Sequence, residues 1–167
     1  MKRKKLTASM IALVMSVSLP MTTYAANWYL EDGSVTVNAD NSGQTVTQGS
    51  TSTPDEAPVI TQRESSVETG NTIAISTSDN AAANVTIKDI NIKSSKDAID
   101  VKGSSSANIT LEGDNKIFSE TGSALHVSDG NVTINGSGSL KAEIQDEPFG
   151  YNHNAKIGSH ENEDMSG

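Results

Sequence analysis

The chain has 167 residues, no cysteine, a formal net charge of −9 and only 4% aromatic residues. So acidic a surface repels nucleic-acid phosphates and anionic bilayers, which sets both aside as partners, and the missing cysteines remove disulfide staples. With so few large rings, the core has to be filled by Val, Ile and Leu in small repeated units.

The N-terminus is read as a signal peptide over residues 1–25. Lys2, Arg3, Lys4 and Lys5 form a basic start, an apolar run extends from Leu6 to Leu19, and Thr23-Tyr24-Ala25 offers small residues to a signal peptidase. The apolar run is 14 residues long, whereas a membrane-spanning helix takes roughly 20. Cleavage after Ala25 is therefore expected, with a secreted or cell-surface location and no membrane association afterwards. No cysteine is present to carry a lipoprotein anchor. Cleavage leaves eight basic against 21 acidic residues, a charge of about −13, which keeps an extracellular protein soluble.

Residues 26–70 read as an N-terminal cap with irregular first coils. Trp28-Tyr29-Leu30 opens the segment, Val35 and Val37 alternate as in a strand, Gly49 to Glu56 reads as a loop, and Val59-Ile60-Thr61 returns to a strand. A solenoid leaves an apolar end open and needs an atypical terminal unit to cover it. Trp28, the single tryptophan, suits that cap; a sugar-stacking platform is the alternative use of the Trp28-Tyr29 pair.

The regular region is 71–142, where two families of short segments interleave. Thr72-Ile73-Ala74-Ile75, Ala98-Ile99-Asp100-Val101 and Ala124-Leu125-His126-Val127 recur every 26 residues. Asn84-Val85-Thr86-Ile87, Asn108-Ile109-Thr110-Leu111 and Asn131-Val132-Thr133-Ile134 recur at spacings of 24 and 23. Each alternates apolar and polar residues, the period of a strand with one buried face. Turn residues separate them, as in Lys102-Gly103-Ser104 and Glu112-Gly113-Asp114.

Periodicity of this kind argues against disorder, despite the Ser/Thr-rich composition, and no stretch after the leader carries a helical stripe. Asp129-Gly130 also fits a hairpin turn, which leaves an antiparallel sandwich as the rival fold. A sandwich, however, does not call for like residues at fixed intervals of this length. The repeat predicts an all-β, right-handed parallel β-helix with coils of about 23–26 residues. Its inward columns are expected to be Ile73/Ile99/Leu125, Ile75/Val101/Val127, Val85/Ile109/Val132, Ile87/Leu111/Ile134 and Ile92/Ile117/Leu140.

Residues 143–167 break the spacing and are expected to be an irregular, truncated coil. Ala155-Lys156-Ile157-Gly158-Ser159 resembles the first family, about 30 residues after Val127. The chain stops near the place where a further strand is due, so more coils are expected C-terminally in a longer protein.

The candidate site residues read mostly as structure. Asn84, Asn108 and Asn131 are expected to form an amide ladder instead of glycosylation acceptors, with Thr86, Thr110 and Thr133 as an outward hydroxyl column that offers a flat polar surface. Asp97, Asp100, Glu112 and Asp114 lack a calcium-loop pattern and read as solvated turn charge. His126 alternates with Leu125 and Val127 and is expected to face solvent. His153 and His160 lack the spacing of a helical metal pair. No cofactor and no metal is expected.

Parallel β-helices include pectate lyases and polygalacturonases, but Arg63 is the single arginine after the leader, and no carboxylate pair stands out for glycan hydrolysis. No catalytic residue is nominated.

The run Asn108 to Asn115, then Ala124-Leu125-His126-Val127, then Val132 to Ala142, resembles secreted right-handed β-helix, carbohydrate-binding-domain-like proteins of gut Gram-positive bacteria. Trp28 to Val37 and Gly43-Gln44-Thr45-Val46-Thr47 share the likeness. The Ala-Gly-Ile-Gly-Gly-like repeats usual in that family are replaced here by Ala155-Lys156-Ile157-Gly158-Ser159 and an acidic tail. The resemblance implies an extracellular module for polysaccharide and carries over no binding residue. The expected function is a noncatalytic, polysaccharide-binding or adhesive β-helix module. The alternatives are a structural stalk of a larger surface protein and, third, a polysaccharide lyase-like enzyme.

Overall fold

The computed structural model of the chain describes residues 25–78, 80–145 and 156–158. Residues 1–24 of the expected 1–25 leader, and His153 and His160, lie outside the described residues. Strands follow in chain order as β1 (Asn27–Tyr29), β2 (Val35–Asp40), β3 (Gly43–Gln48), β4 (Thr51–Pro54), β5 (Val59–Thr61), β6 (Ile73–Thr77), β7 (Ala83–Lys88) and β8 (Asn91–Ser94). They continue as β9 (Ile99–Gly103), β10 (Ser106–Glu112), β11 (Asp114–Ser119), β12 (Leu125–Val127), β13 (Asn131–Gly136), β14 (Ser139–Ile144) and β15 (Ile157–Gly158). A single 3-10 turn, Leu30–Asp32, is the one helical element among the described residues.

These strands wind into a stacked-coil β-solenoid of about three turns. Its walls are three sheets: β1-β5-β7-β10-β13, β8-β11-β14, and β4-β3-β2-β6-β9-β12-β15. Pairing between coils is parallel throughout. Alternation explains why each strand buries one face, and stacking explains why like residues meet. Ile73, Ile99 and Leu125 align, as do Ile75, Val101 and Val127. Val85 aligns with Ile109, Ile87 with Leu111 and Ile92 with Ile117. These side chains, with Ile60 and Ile90, form one continuous apolar core.

The last described coil departs from the expected register by two residues. Ile134 pairs with Ile109 instead of Leu111, Val132 with Ala107 instead of Ile109, and Asn131 with Ser106 instead of Asn108. Likewise Ala142, not Leu140, pairs with Ile117. Chain reach accounts for the slip. The path from Val101 to Asn108 has seven steps and that from Val127 to Asn131 has four, and four residues span at most about 14 Å. The shorter corner therefore sets Asn131 down over an earlier residue of β10. A shift of two preserves the side-chain faces, so Val132 and Ile134 still point inward. Ile134 is 38% exposed, because no described strand pairs with the far edge of β13.

The amide ladder follows the same register. The Asn108 Nδ2 donates to Asn84 Oδ1 at 3.0 Å, whereas Asn131 is not in the ladder and Thr133, not Asn131, is the partner of Asn108. Thr86 pairs with Thr110, but Thr110 donates its hydroxyl to Asn135 at 3.0 Å, so Thr133 lies outside that column.

The first coil is regular in pairing although not in length. β2 pairs in parallel with β6, setting Val37 beside Ile75. The antiparallel excursion β3–β4 intervenes before the chain returns to the coil path at β5. Part of Gly49 to Glu56, expected as loop, is therefore strand β4. The Trp28 side chain is 8% exposed, beside Ile60 at the head of the Ile60/Ile87/Leu111 column, and its Nε1–H donates to Asp55 Oδ2 at 2.9 Å. The indole is thus packed against the core at this end of the column.

Candidate functional site

Two clusters stand out on the outer surface. The first lies on the β8-β11-β14 wall. Strand alternation points Asn91 and Lys93, Lys116 and Phe118, and Lys141 and Glu143 outward, and coil stacking sets Asn91, Lys116 and Lys141 in one row and Lys93, Phe118 and Glu143 in the next. A shallow groove of about 210 Å³ is lined by Glu68, Asn91, Lys93, Lys116, Phe118 and Glu143.

The Phe118 ring is half-buried, with Lys93 Nζ 5.8 Å from its centroid, a distance at which a cation is attracted to an aromatic face. Lys93 meets Glu68 at 3.8 Å and Lys141 meets Glu143 at 2.9 Å. Among the described residues, Lys116 lies between these pairs with no carboxylate partner. The groove thus combines an aromatic face, an amide, the ammonium groups of Lys93 and Lys116 and the carboxylates of Glu68 and Glu143. Sequence reading did not single out these residues. The signal was the 25-residue spacing of Asn91, Lys116 and Lys141, which becomes legible once Ile92 and Ile117 fix the wall.

The second cluster sits on the wall that contains β9 and β12. Coil stacking pairs Asp100 of β9 with His126 of β12, and Asp97 precedes β9 in the same corner. The His126 Nδ1 is 3.0 Å from Asp100 Oδ1 and 3.4 Å from Asp97 Oδ2. His126 was expected to be solvated; it is 8% exposed. The carboxylates of Asp97 and Asp100 stand beside this outward position, and both face its Nδ1. Asp97 and Asp100 are likewise partly buried instead of freely solvated, whereas Glu112 and Asp114 are exposed, as expected.

At the capped end, Arg63 forms a bidentate pair with Asp32 at 2.9 and 2.7 Å and lies 4.1 Å above the Tyr29 ring. Hydrogen bonding to Arg63 lowers the Asp32 carboxyl below its ordinary value, and the same bond raises Arg63. Burial pushes Glu31 up, but the backbone N–H groups of Glu64, Glu31 and Arg63, with the Arg63 charge, hold it below its usual range. This arginine is engaged with Asp32 and Tyr29.

The fold defines the chain as a parallel β-solenoid. No protein-family model, curated protein or solved structure matches it.

Proposed function

We propose that the chain is a noncatalytic, extracellular polysaccharide-binding module whose binding face is the β8-β11-β14 wall. The observation that carries this reading is the half-buried Phe118 ring framed by Lys93, Lys116 and Asn91. Sugar rings present apolar C–H faces that stack on aromatic rings, and their hydroxyls and carboxylates take hydrogen bonds from amides and ammonium groups. A wall of stacked coils repeats every 4.8 Å or so, so a linear polymer can lie along it. With Lys93 and Lys141 already paired to Glu68 and Glu143, Lys116 is the ammonium left to hydrogen-bond a sugar hydroxyl or carboxylate. Transport out of the cell on the basic and apolar leader agrees with this role.

Retention on immobilised acidic polysaccharides, pectic and glycosaminoglycan, tests the proposal. Binding is expected to fall roughly tenfold in Phe118→Ala, the usual scale of a central interfacial anchor, and to weaken in Lys116→Glu. An absence of retention on every glycan would favour the stalk. Release of unsaturated sugars from polygalacturonate would favour the lyase instead.

A further inference from the structure

We infer that Asp97, Asp100 and His126 form a divalent transition-metal site, of the zinc class, that ties two successive coils together. One carboxylate oxygen from each aspartate and one imidazole nitrogen lie within 4.8 Å of one another. Metal–oxygen and metal–nitrogen bonds of about 2.0–2.2 Å place neighbouring donors roughly 2.8–3.6 Å apart in tetrahedral or octahedral shells. The 3.0 and 3.4 Å separations from His126 Nδ1 fall in that range.

Hydrogen bonding alone serves this geometry less well. A neutral imidazole nitrogen carries one proton, so a single N–H is divided between two anions. A cation bound to the nitrogen lone pair meets both carboxylates at once.

The surroundings are those of a supported site. Ser123 N donates to Asp97 Oδ1 at 2.5 Å, which orients that carboxylate and leaves Oδ2 toward the histidine. Lys102 Nζ lies 3.7 Å from Asp100 Oδ2 and steadies the second carboxylate, though its charge also competes with the metal. The His126 side chain is only 10% exposed, and those of Asp97 and Asp100 are 22% and 30% exposed, so the donors are partly desolvated and one side remains open to solvent. Outer partners of this kind orient ligands and tune affinity. One imidazole and two carboxylates suit zinc and its first-row neighbours; calcium needs six or more oxygens.

The test is titration of the full chain with zinc chloride, read by calorimetry and by melting temperature, with calcium chloride alongside. Zinc is expected to bind at one site and raise the melting temperature by several degrees, and calcium to do neither at matched concentration. Asp100→Asn and His126→Ala are each expected to lower the affinity at least tenfold and to abolish the thermal shift. Should His126→Ala fail to fold by circular dichroism, Asp97→Asn and Asp100→Asn carry the same expectation. The double variant His153→Ala/His160→Ala is expected to keep the shift. A flat zinc titration, or a zinc response that survives Asp100→Asn but disappears in the double variant, overturns the assignment.

Discussion

Ile99→Ala probes the stacked core at its most consequential point. Ile99 is 1% exposed and lies between Ile73 at 0% and Leu125 at 1%, so truncation opens a void facing two coil interfaces. Three carbons are removed, a loss of about 2.4 kcal/mol at roughly 0.8 kcal/mol per buried methylene. A cavity that neighbouring coils cannot collapse into raises the cost to about 3–4 kcal/mol. For a domain of this size that corresponds to a fall in melting temperature of roughly 10–15 °C. Ile134→Ala is the internal control, because Ile134 is already 38% exposed, and it is expected to cost about 1 kcal/mol. Thermal and urea unfolding followed by circular dichroism supply both values. Equal costs for the two variants would refute the placement of Ile99 inside a closed stack.

Gly103→Ala is expected to be strongly destabilising, because Gly103 has φ of +115° and an added Cβ would run into the Thr77 backbone oxygen of the neighbouring coil. Gly49→Ala, at φ +59° with open space around it, is expected to cost only about 1–2 kcal/mol, and comparing urea midpoints checks the contrast. Acid stability separates the Arg63 network in a similar way. Asp32 and Glu31 are lowered from ordinary values of 3.8 and 4.5, so their contribution is complete above those values and is lost as pH falls through the lowered ones. Arg63→Ala is therefore expected to flatten the dependence of melting temperature on pH below about 4.5 while wild type retains it.

The middle coils were legible in the sequence for a physical reason: strands of equal length and corners of nearly equal length keep like residues in register. The Ile75/Val101/Val127 column could be read from spacing alone. Asn131 could not be placed in the same way, because sequence likeness to Asn108 carries no information about the reach of the three-residue corner before it. Val37 also belongs to the Ile75 column, but with the β3–β4 excursion between them the two lie 38 positions apart instead of 26, which hides the repeat. His126 was misjudged because alternation predicts a direction and says nothing of what else occupies that side; the carboxylates of Asp97 and Asp100 become its neighbours only after the coil closes. Phe118 and its lysines escaped notice because outward residues of a solenoid look like ordinary surface until three coils place them in rows.

Disulfide trapping tests the in-register stack most directly, since the chain has no native thiol to interfere. Directly paired positions on neighbouring strands lie within the reach of a disulfide, while those offset by two residues exceed it. Thr86→Cys/Thr110→Cys and Thr110→Cys/Asn135→Cys are partners and are expected to oxidise rapidly within one chain under mild conditions, whereas Thr110→Cys/Thr133→Cys stays reduced. Oxidation of the Thr133 pair in preference to the Asn135 pair, or of none of the three, would contradict the stacking and the register together.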